Sequence, residues 1–493
     1  MSEIIAGKEY HDVALVGSKL HSVQAHAPAL LALLERYPEM HIYTKSHPHF
    51  VELSRVRADR TDMEALALVR PVCEAEVSAV VKYCVERGIG IAIRSGGGDI
   101  AERSRSHGGV VIDMRSMDSM VLAADRKSIR IGGGLNSGTL LRFLDANGLD
   151  TPCGWGHEVG YIAWACGGGY GVECGARGMG ADQILSGRVV TASGDILDAQ
   201  PDNENKDVYW ALRGGGAGIL GVVSELTVKV HPKPKALAGY VWFPYTEAEK
   251  VFGNMQKLYE ENFPDNFAAE VFLIDPLNNG GIINHFFWWE LKADENDLED
   301  AKAYHKKITE CGTVVMDTVK DKNGKYNITS PYEFLYSIKN PGAETRLAYY
   351  NKSLTVPSIS AEFGAILARH PLPTPTSVVV LHNCHGAGTR FDSTAAFGNR
   401  EQHILVGLAA LCDWADEDAK AQIKSWPGAV YDELVAAGLN TGWKYVNFNI
   451  REKDDGKMYL GEKGVERMRK LKGRWDPDDV FALCTPDLGI SAT

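Results

Sequence analysis

Several features that define common protein classes are missing from this 493-residue chain. It has no run of about 18 apolar residues, so we expect no membrane-spanning helix and no membrane partner. Its nine cysteines include no C-x-x-C pair, and no clustered histidines complete a zinc spacing. This pattern favours reduced thiols over a disulfide framework and predicts no metal site. The N-terminus lacks a basic segment followed by an apolar one, so we expect a cytoplasmic protein.

A basic run is also missing, and the formal net charge is −12 from 64 acidic and 52 basic residues. Because nucleic-acid affinity comes largely from neutralising phosphates, this balance argues against a nucleic-acid partner. The hydrophobic content of 45% and the charged content of 24% are typical of a globular protein. The length allows two or three domains. The sequence predicts no particular oligomeric state.

The G-x-G-x-x-G fingerprint of Rossmann folds does not occur at a strand-to-helix turn. The first half of the chain instead holds four glycine clusters, at 96–98, 132–134, 167–171 and 214–218. The first cluster follows a β-like run that ends at Arg94. Backbone without Cβ atoms can lie flat against a ligand, and consecutive N–H groups bind anions. We therefore expect a pyrophosphate at this loop, with Arg94 supplying a positive charge. The alternative is that the clusters are turns.

Hydrophobic periodicity predicts an α+β protein rather than a doubly wound sheet. Helices are predicted at 74–87 and 137–147, and a strand at 222–230 ends at the prolines that follow His231. Beyond residue 236 the pattern changes to longer alternating runs, which predict one antiparallel sheet. Its strands are expected at 238–243, 267–274, 281–289 and 376–381, with covering helices at 246–262, 293–310, 357–369 and 392–415.

The motifs, in their order, resemble those of the vanillyl-alcohol oxidase/p-cresol methylhydroxylase flavoproteins, and within them the berberine bridge enzyme-like branch that includes 6-hydroxy-D-nicotine oxidase. The resemblance implies an α+β flavoprotein with an FAD domain in 1–235 and a substrate domain in 236–429. Residues 430–493 are expected to return to the FAD domain. The matching segments are Arg94–Gly97, Gly109–Arg115, Val159–Gly160, Gly167–Gly171, Gly180–Leu185, Arg188–Gly194, Trp210–Gly214, Gly221–Val223, Tyr445–Asn447 and Trp475–Phe481.

This resemblance also implies a set of FAD contacts. The implied residues are Arg94, Ser95, Gly96, Gly97, Gly98, Asp99, Gly156, Val159, Gly160, Gly167, Gly168, Gly171, Val222, Tyr445 and Asn447. Relatives attach the flavin covalently through a histidine and a cysteine, where this chain has Gly98 and Gly156. We therefore expect non-covalent FAD. A shifted anchor at Cys153 or His157 is the alternative. The small Val159 is associated in the family with oxygen access, or it is simply a packed turn residue.

The candidate catalytic residues are His382, Tyr445 and Glu270. By resemblance, His382 falls where berberine bridge enzyme has its catalytic glutamate, and histidine exchanges protons near neutral pH. His385 lies three residues further along the same strand, so only one of the two faces the flavin. The alternatives are a hydrogen-bonded sheet histidine and, for Tyr445, a core aromatic. Glu270 lies in an apolar predicted strand, where a carboxyl is unusual unless it is exposed or has a function.

The resemblance implies an FAD-dependent oxidase of a small organic substrate, a secondary metabolite with an oxidisable C–N or C–O bond. A hydride would pass to flavin N5, and molecular oxygen would leave as hydrogen peroxide. One alternative is a non-redox isomerase or cyclase of natural-product biosynthesis. Another is a binding protein that has lost FAD.

Overall fold

The computed structural model describes residues 4–6, 19–56, 61–276, 278, 280–292, 296–336, 346–450, 452–453 and 455–489. In this part of the chain, none of the helices combines the length and the hydropathy needed to cross a membrane.

The first part of the chain, up to Pro232, contains twelve short strands and nine helices among the described residues. The strands are β1 (Ile4–Ala6), β2 (His41–Tyr43), β3 (Ala67–Arg70), β4 (Ile91–Arg94), β5 (Val110–Asp113), β6 (Met120–Leu122), β7 (Ser128–Gly132), β8 (Leu149–Asp150), β9 (Ile184–Val190), β10 (Ile196–Ala199), β11 (Val222–Lys229) and β12 (His231–Pro232). The helices are α1 (Lys19–His26), α2 (Leu31–Arg36), α3 (Phe50–Ser54), α4 (Glu74–Glu86), α5 (Ser137–Ala146), α6 (Tyr161–Cys166), α7 (Cys174–Arg177), α8 (Gly180–Gln183) and α9 (Lys206–Leu212).

Two larger sheets organise this part. One has the order β2-β3-β5-β4, in which β3 and β4 both run parallel to β5. The other is antiparallel with the order β1-β6-β7-β11-β9-β10. Helix α4 packs between them, because its buried face joins the core that contains Ile112 of the first sheet and Val190 of the second. Glu74 and Glu76 in its first turn stabilise the helix N-terminus. The predicted helix at 74–87 is confirmed.

The second part contains β13 (Ala236–Pro244), β14 (Phe267–Ile274), β15 (Ile282–Glu290), β16 (Met316–Asp317), β17 (Ile328–Thr329), β18 (Leu347–Val356), β19 (Val378–Cys384) and β20 (His403–Asp413). These strands form one antiparallel sheet with the order β16-β13-β15-β14-β19-β20-β18, and β17 pairs with β13. The helices are α10 (Ala248–Glu261), α11 (Asp297–Thr309), α12 (Pro331–Tyr336), α13 (Ala361–Arg369) and α14 (Glu417–Ala436). The predicted antiparallel sheet is confirmed. Residues 293–295 of the helix expected at 293–310 lie outside the described residues.

The prediction of a helix at 392–415 is wrong, because β20 occupies 403–413. Its residues from His403 to Cys412 are all buried. A strand that is covered on both faces has no polar alternation, so its apolar run reads like that of a buried helix. One face of the sheet packs on α10, α13 and α14 through residues such as Val379 and Leu381. The opposite face, here called the inner face, carries Val378, Val380 and His382.

The final segment connects both parts. Helix α14 packs against β18 and β20 and continues to Ala436, so the expected domain boundary at 429/430 falls inside a helix. The last helix, α15 (Lys457–Trp475), is interrupted at Gly461 with a φ of +67° and packs against α9. The contacts of α15 agree with a return of the chain to its first part. The division into three segments otherwise stays a prediction.

A buried cluster of charges joins the two parts on one side. The guanidinium of Arg177 lies 2.6 Å from Asp150 and from Glu173, and 2.9 Å from Glu290 at the end of β15. Burial raises the pKa of the Glu173 carboxyl well above its usual value. The pKa stays high although Arg177 lowers it, because the carboxylates of Asp150 and Glu290 add to the increase. One cation therefore serves three acids, and the raised pKa favours the neutral form of Glu173.

We expect the Glu173→Gln substitution to stabilise the protein at neutral pH. The raised pKa means that the unfolded chain releases the Glu173 proton first, so the folded state loses stability as pH rises above about 4.3. Glutamine carries no such proton and removes this loss. The melting temperature of the variant should exceed that of the wild type by a few degrees at pH 7. The difference should disappear near pH 4.

Thermal unfolding followed by circular dichroism from pH 4 to 8 measures this difference. Glu462→Gln is a suitable control, because the Glu462 side chain is 87% exposed and should give a flat profile. A lower melting temperature of Glu173→Gln at every pH would contradict the interpretation and would show that the ion pair with Arg177 dominates.

Candidate functional site

A cavity of about 400 Å³ lies between the first part of the chain and the inner face of the sheet. Four segments form its walls: the loop after β4, the region around α6, the strands β14, β18, β19 and β20, and the segment 445–448. Of the predicted site residues, those on the cavity wall are Ser95, Gly96, Gly97, Gly98, Asp99, Val159, Gly160, His382, Tyr445 and Asn447.

The loop after β4 touches the turn before α6 backbone to backbone. A Cβ atom at Gly96 would lie 2.5 Å from both the Glu158 carbonyl oxygen and the Gly160 nitrogen. Only glycine fits at that distance. Gly97 adopts a φ of +85°, in the left-handed region that favours glycine. The Ser95 hydroxyl donates to the Gly133 carbonyl over 2.7 Å and fixes the start of the loop. These contacts give the cavity a wall of bare backbone.

Arg94 does not extend toward the cavity as expected. Its guanidinium donates to the carbonyl oxygens of Leu53 at 2.6 Å and of Ser54 at 3.0 Å. The side chain is 1% exposed. Strand alternation explains this placement, because the side chain at the end of β4 faces away from the wall that the next residues form. The structure therefore gives Arg94 a role in supporting the loop, and its place among the FAD contacts stays a prediction.

A cation that the sequence reasoning missed lies on the cavity wall at Arg103. Its Nε donates to Asp99 over 2.8 Å, and its Nη1 donates to the Val446 carbonyl and the Thr485 hydroxyl. Burial would raise the pKa of Asp99, but Arg103 and backbone donors hold it below its usual value. The i, i+4 spacing of Asp99 and Arg103 was the available signal. This pair ties the glycine loop to the C-terminal segment.

Tyr445 and Asn447 reach the cavity over a second glycine cluster. The Gly169 N–H donates to the Tyr445 oxygen at 3.3 Å, and Asn447 Nδ2 donates to it at 3.1 Å. A Cβ at Gly167 would lie 2.4 Å from Asn447 Nδ2, so glycine permits this approach. Burial raises the pKa of Tyr445 to about 12. The phenol is therefore neutral and accepts two hydrogen bonds.

Four further predicted FAD contacts lie off the cavity wall: Gly167, Gly168, Gly171 and Val222. Gly167, Gly168 and Gly171 lie behind α6, where they allow the close packing of other segments. Val222 is fully buried in the core around α4, and its neighbour Val223 lines the cavity instead. The alternation of side chains along β11 accounts for this one-residue difference.

The two positions of the expected covalent anchors differ from each other. Gly98 lines the cavity, and a Cβ there would be 3.8 Å from its nearest neighbour, so the position has room for a side chain. Gly156 lies outside the wall and has a φ of +97°, which side chains rarely adopt. Cys153 and His157 do not line the cavity either. His157 packs on Gly138 and Tyr336.

A hydrogen-bonded group of three side chains lies where the first part meets the inner face. The Trp155 indole N–H donates to Glu270 Oε2, and His382 Nδ1 lies 2.8 Å from the same oxygen. Glu270 is 1% exposed and lies next to His382, on the neighbouring strand β14. Trp155 packs against Phe272 and Phe286. Because a carboxylate oxygen accepts, His382 Nδ1 donates to Oε2 and carries a hydrogen.

His385 lies on the other side of the strand, as expected from its spacing. Its ring stacks on Phe263 at 4.0 Å, and its Nε2 lies 3.3 Å from the Pro264 carbonyl. Burial lowers the pKa of His385. This is the structural histidine of the pair, and His382 is the one at the cavity.

Tyr170 is a second residue of the wall that the sequence reasoning missed, although it stands inside the glycine cluster 167–171. Its ring stacks at 6.1 Å on His382, and its hydroxyl is 2.7 Å from His403 Nε2. His403 Nδ1 lies 2.7 Å from the Glu401 carbonyl, which only accepts, so Tyr170 donates to Nε2. Burial lowers the pKa of His403 to about 4 and keeps this imidazole neutral.

The cavity suits a flavin dinucleotide on structural grounds. Its wall at 96–98 carries no side chains, so an extended ligand can lie against the backbone there. Arg103 is available beside this wall, and a polar group around His382 stands at the sheet side. A binding cleft that combines apolar walls with a few fixed polar groups is typical of cofactor sites.

Comparison with known proteins identifies the family. An FAD binding domain matches residues 65–200. The FAD-linked oxidoreductase aurO of Gibberella zeae is 31% identical over 478 residues, which cover 97% of this chain and 91% of the relative. The (R)-6-hydroxynicotine oxidase of Paenarthrobacter nicotinovorans is 35% identical over 179 residues, 36% of this chain and 39% of the relative.

Solved structures show the same fold. The 6-hydroxy-D-nicotine oxidase of Arthrobacter nicotinovorans superposes with a TM-score of 0.77 at 22% identity, covering 90% of this chain and 96% of the other. Berberine bridge enzyme of Eschscholzia californica gives a TM-score of 0.79 at 17% identity, with 94% and 99% covered. The fold is therefore that of the vanillyl-alcohol oxidase/p-cresol methylhydroxylase flavoproteins, as the motifs indicated.

We expect the glycines of the first loop to differ sharply in what they tolerate. The Gly96→Ala variant forces two backbone segments apart and should retain about a tenth or less of the wild-type FAD, because such overpacking costs about 1–3 kcal/mol. Gly98→Ala adds a methyl group to open space and should keep full occupancy. Flavin absorbance relative to protein absorbance in the purified variants measures both. Equal occupancy in the two variants would mean that the loop is not the cofactor wall.

Proposed function

This chain belongs to the FAD-linked oxidoreductases, and from that premise we propose that it is an FAD-dependent oxidase of a small organic substrate. The oxidised bond would be a C–N or C–O bond, and the substrate a secondary metabolite. Relatives that are named as nicotine oxidases support this class of reaction. The observation that carries the proposal is that His382 and Trp155, both on the cavity wall, are hydrogen-bonded to the same oxygen of the buried Glu270.

The cofactor would be held without a covalent bond. Gly98 and Gly156 carry no nucleophile, and the alternatives Cys153 and His157 stand away from the cavity wall. Burial also raises the pKa of the Cys153 thiol, which disfavours the reactive thiolate. Affinity would come from the backbone of 96–98, from Arg103 and from the 445–447 segment. When bound, FAD would supply the acceptor for the two electrons of a hydride, and molecular oxygen would take up these electrons with two protons to give hydrogen peroxide.

His382 would act as the general base. Its hydrogen sits on Nδ1, shared with Glu270, so Nε2 is free to accept a proton from the substrate. Glu270 is a positioning residue, because it fixes the tautomer and orients the ring, and its carboxylate stabilises the imidazolium that forms. Trp155 holds the carboxylate from the opposite part of the molecule. All three side chains are kept in place by packing against the aromatic residues of the inner face.

Tyr445 would act in a different way from His382. Its oxygen already accepts two hydrogen bonds, and its pKa of about 12 keeps the phenol protonated. Such a group donates a hydrogen bond to a substrate oxygen or nitrogen and does not remove a proton at neutral pH. Val159 on the same wall leaves space, and we propose that oxygen reaches the flavin there.

Non-covalent binding predicts that acid precipitation releases the flavin. The yellow colour should move completely into the supernatant, because denaturation removes every contact that holds the cofactor. Absorbance of the two fractions and the intact mass of the protein measure the result. Flavin in the pellet, or a peptide carrying the added mass of FAD, would contradict the prediction.

The base assignment predicts that His382→Ala slows the anaerobic reduction of the flavin by substrate by about 10²- to 10⁴-fold. Glu270→Gln should cause a smaller loss, because the amide oxygen still accepts from Nδ1–H but no longer stabilises the imidazolium. Stopped-flow absorbance of the flavin measures both rates, and FAD content should stay at the wild-type level.

His385→Gln is the matched control, since His385 lies on the opposite side of the same strand and should leave reduction unchanged. Normal reduction in His382→Ala would move the base elsewhere. Turnover without oxygen consumption would contradict the oxidase proposal itself.

A further inference from the structure

One polar atom at the cavity remains without a partner. Asn351 is on the cavity wall at β18 and is 3% exposed. Its Nδ2 donates to the Phe448 carbonyl, and because a carbonyl only accepts, this bond fixes the orientation of the amide. Its Oδ1 is buried with no hydrogen-bond partner among the described residues. A buried acceptor in this state is costly unless a ligand supplies a donor.

The wall around Asn351 is apolar. Ala409 lies beside it on β20, and Val378 lies beside Ala409 on β19, so the three form one row across the sheet. Leu411 and Tyr349 form the next row. A ligand that carries many hydroxyls or a net charge would lose hydration against this wall without replacement.

The charged residue next to Asn351 is already paired. The Nζ of Lys352 lies 3.8 Å from Glu452 and 4.7 Å from the centre of the Tyr431 ring. Asn351 Oδ1 is thus a buried acceptor on this wall that has no partner among the described residues and can take a donor from a ligand.

Asn351 stands far from the candidate base. His382 lies four residues beyond Val378 on β19, which is roughly 13 Å along the strand. Asn351 is two strands to the side of Val378, about 10 Å across the sheet. Side chains shorten this span, but a single aromatic ring is too small to touch both. A ligand that does so must extend along the sheet.

We propose that the substrate is an uncharged, flat compound of several aromatic rings, with a phenolic hydroxyl at the end away from the reacting bond, and that Asn351 Oδ1 accepts this hydroxyl. The inference rests on the proposed function, because it places the reacting bond at His382. Asn351 is in this view the residue that selects the substrate.

The test compares two probes that differ in one donor, 6-hydroxyflavone and its methyl ether 6-methoxyflavone. Binding to the FAD-loaded protein is measured by titration calorimetry in the absence of turnover. The wild type should bind the hydroxyl form about fivefold to tenfold more tightly, as one buried hydrogen bond allows. In Asn351→Leu the ratio should fall to about one, with unchanged FAD content.

Asn383→Leu is the matched control. Asn383 is a buried asparagine on β19 whose side chain faces away from the cavity, and its Oδ1 also lacks a partner among the described residues. This variant should keep the preference for the hydroxyl form. A wild-type ratio near one overturns the proposal, and so does an unchanged ratio in Asn351→Leu.

Loss of FAD in Asn351→Leu alone also overturns the proposal, because the acceptor would then serve the cofactor. If the leucine variant does not fold, Asn351→Ala replaces it. The affinity ratio of the two probes in the wild type tests the proposal without either variant. Failure of the oxidase proposal would appear in oxygen consumption and in the His382→Ala rate, neither of which enters this ratio.

Discussion

The Glu270 carboxylate is the point at which the two parts of the molecule hold each other in position beside the cavity. Its Oε2 accepts from Trp155, which precedes α6 in the first part, and from His382 on the inner face of the sheet. Any shift of the sheet relative to the first part would break one of these bonds. The glycine wall at 96–98 and the sheet wall that carries His382 are therefore held at a fixed distance from each other.

The contact between Glu270 and His382 fixes the position of the histidine more than it stabilises the fold. Burying a carboxyl in an apolar strand is costly, and Glu270 Oε1 finds no hydrogen-bond partner among the described residues. An apolar residue there would pack against Phe286 without that cost. The glutamate is explained by what it does to His382, whose tautomer and orientation it sets. In the proposed mechanism, local stability is exchanged for a base that is held in one orientation at the cavity wall.

The sequence predicted those features that depend on local chemistry. The loop at 96–98 follows from residue type, and the placement of His382 and His385 on opposite sides follows from their spacing. The cavity positions of Tyr445 and Asn447, and the choice of His382 of the two, came from the family resemblance. Other features needed the three-dimensional structure. Trp155 and Glu270 are far apart in sequence, and no local pattern shows that they meet. The direction of the Arg94 side chain, and the presence of Val223 on the cavity wall in place of Val222, depend on strand alternation at exact positions. Strand β20 was missed because its buried sequence has no polar alternation.

The two glycines at the expected anchor positions both lack a nucleophile, but their structural surroundings differ. At Gly156 the backbone itself, with a φ of +97°, disfavours any residue with a side chain. At Gly98 the backbone is ordinary, and the nearest atom to a Cβ is 3.8 Å away. The first position is closed to an anchor by conformation, whereas the second lacks only the side chain. The shape of the loop is thus independent of a covalent bond, since the contact of Gly96 with Glu158 and Gly160 forms it. In the proposed site the cofactor would be held by backbone geometry, and a covalent bond would be an addition to a loop whose shape does not need one.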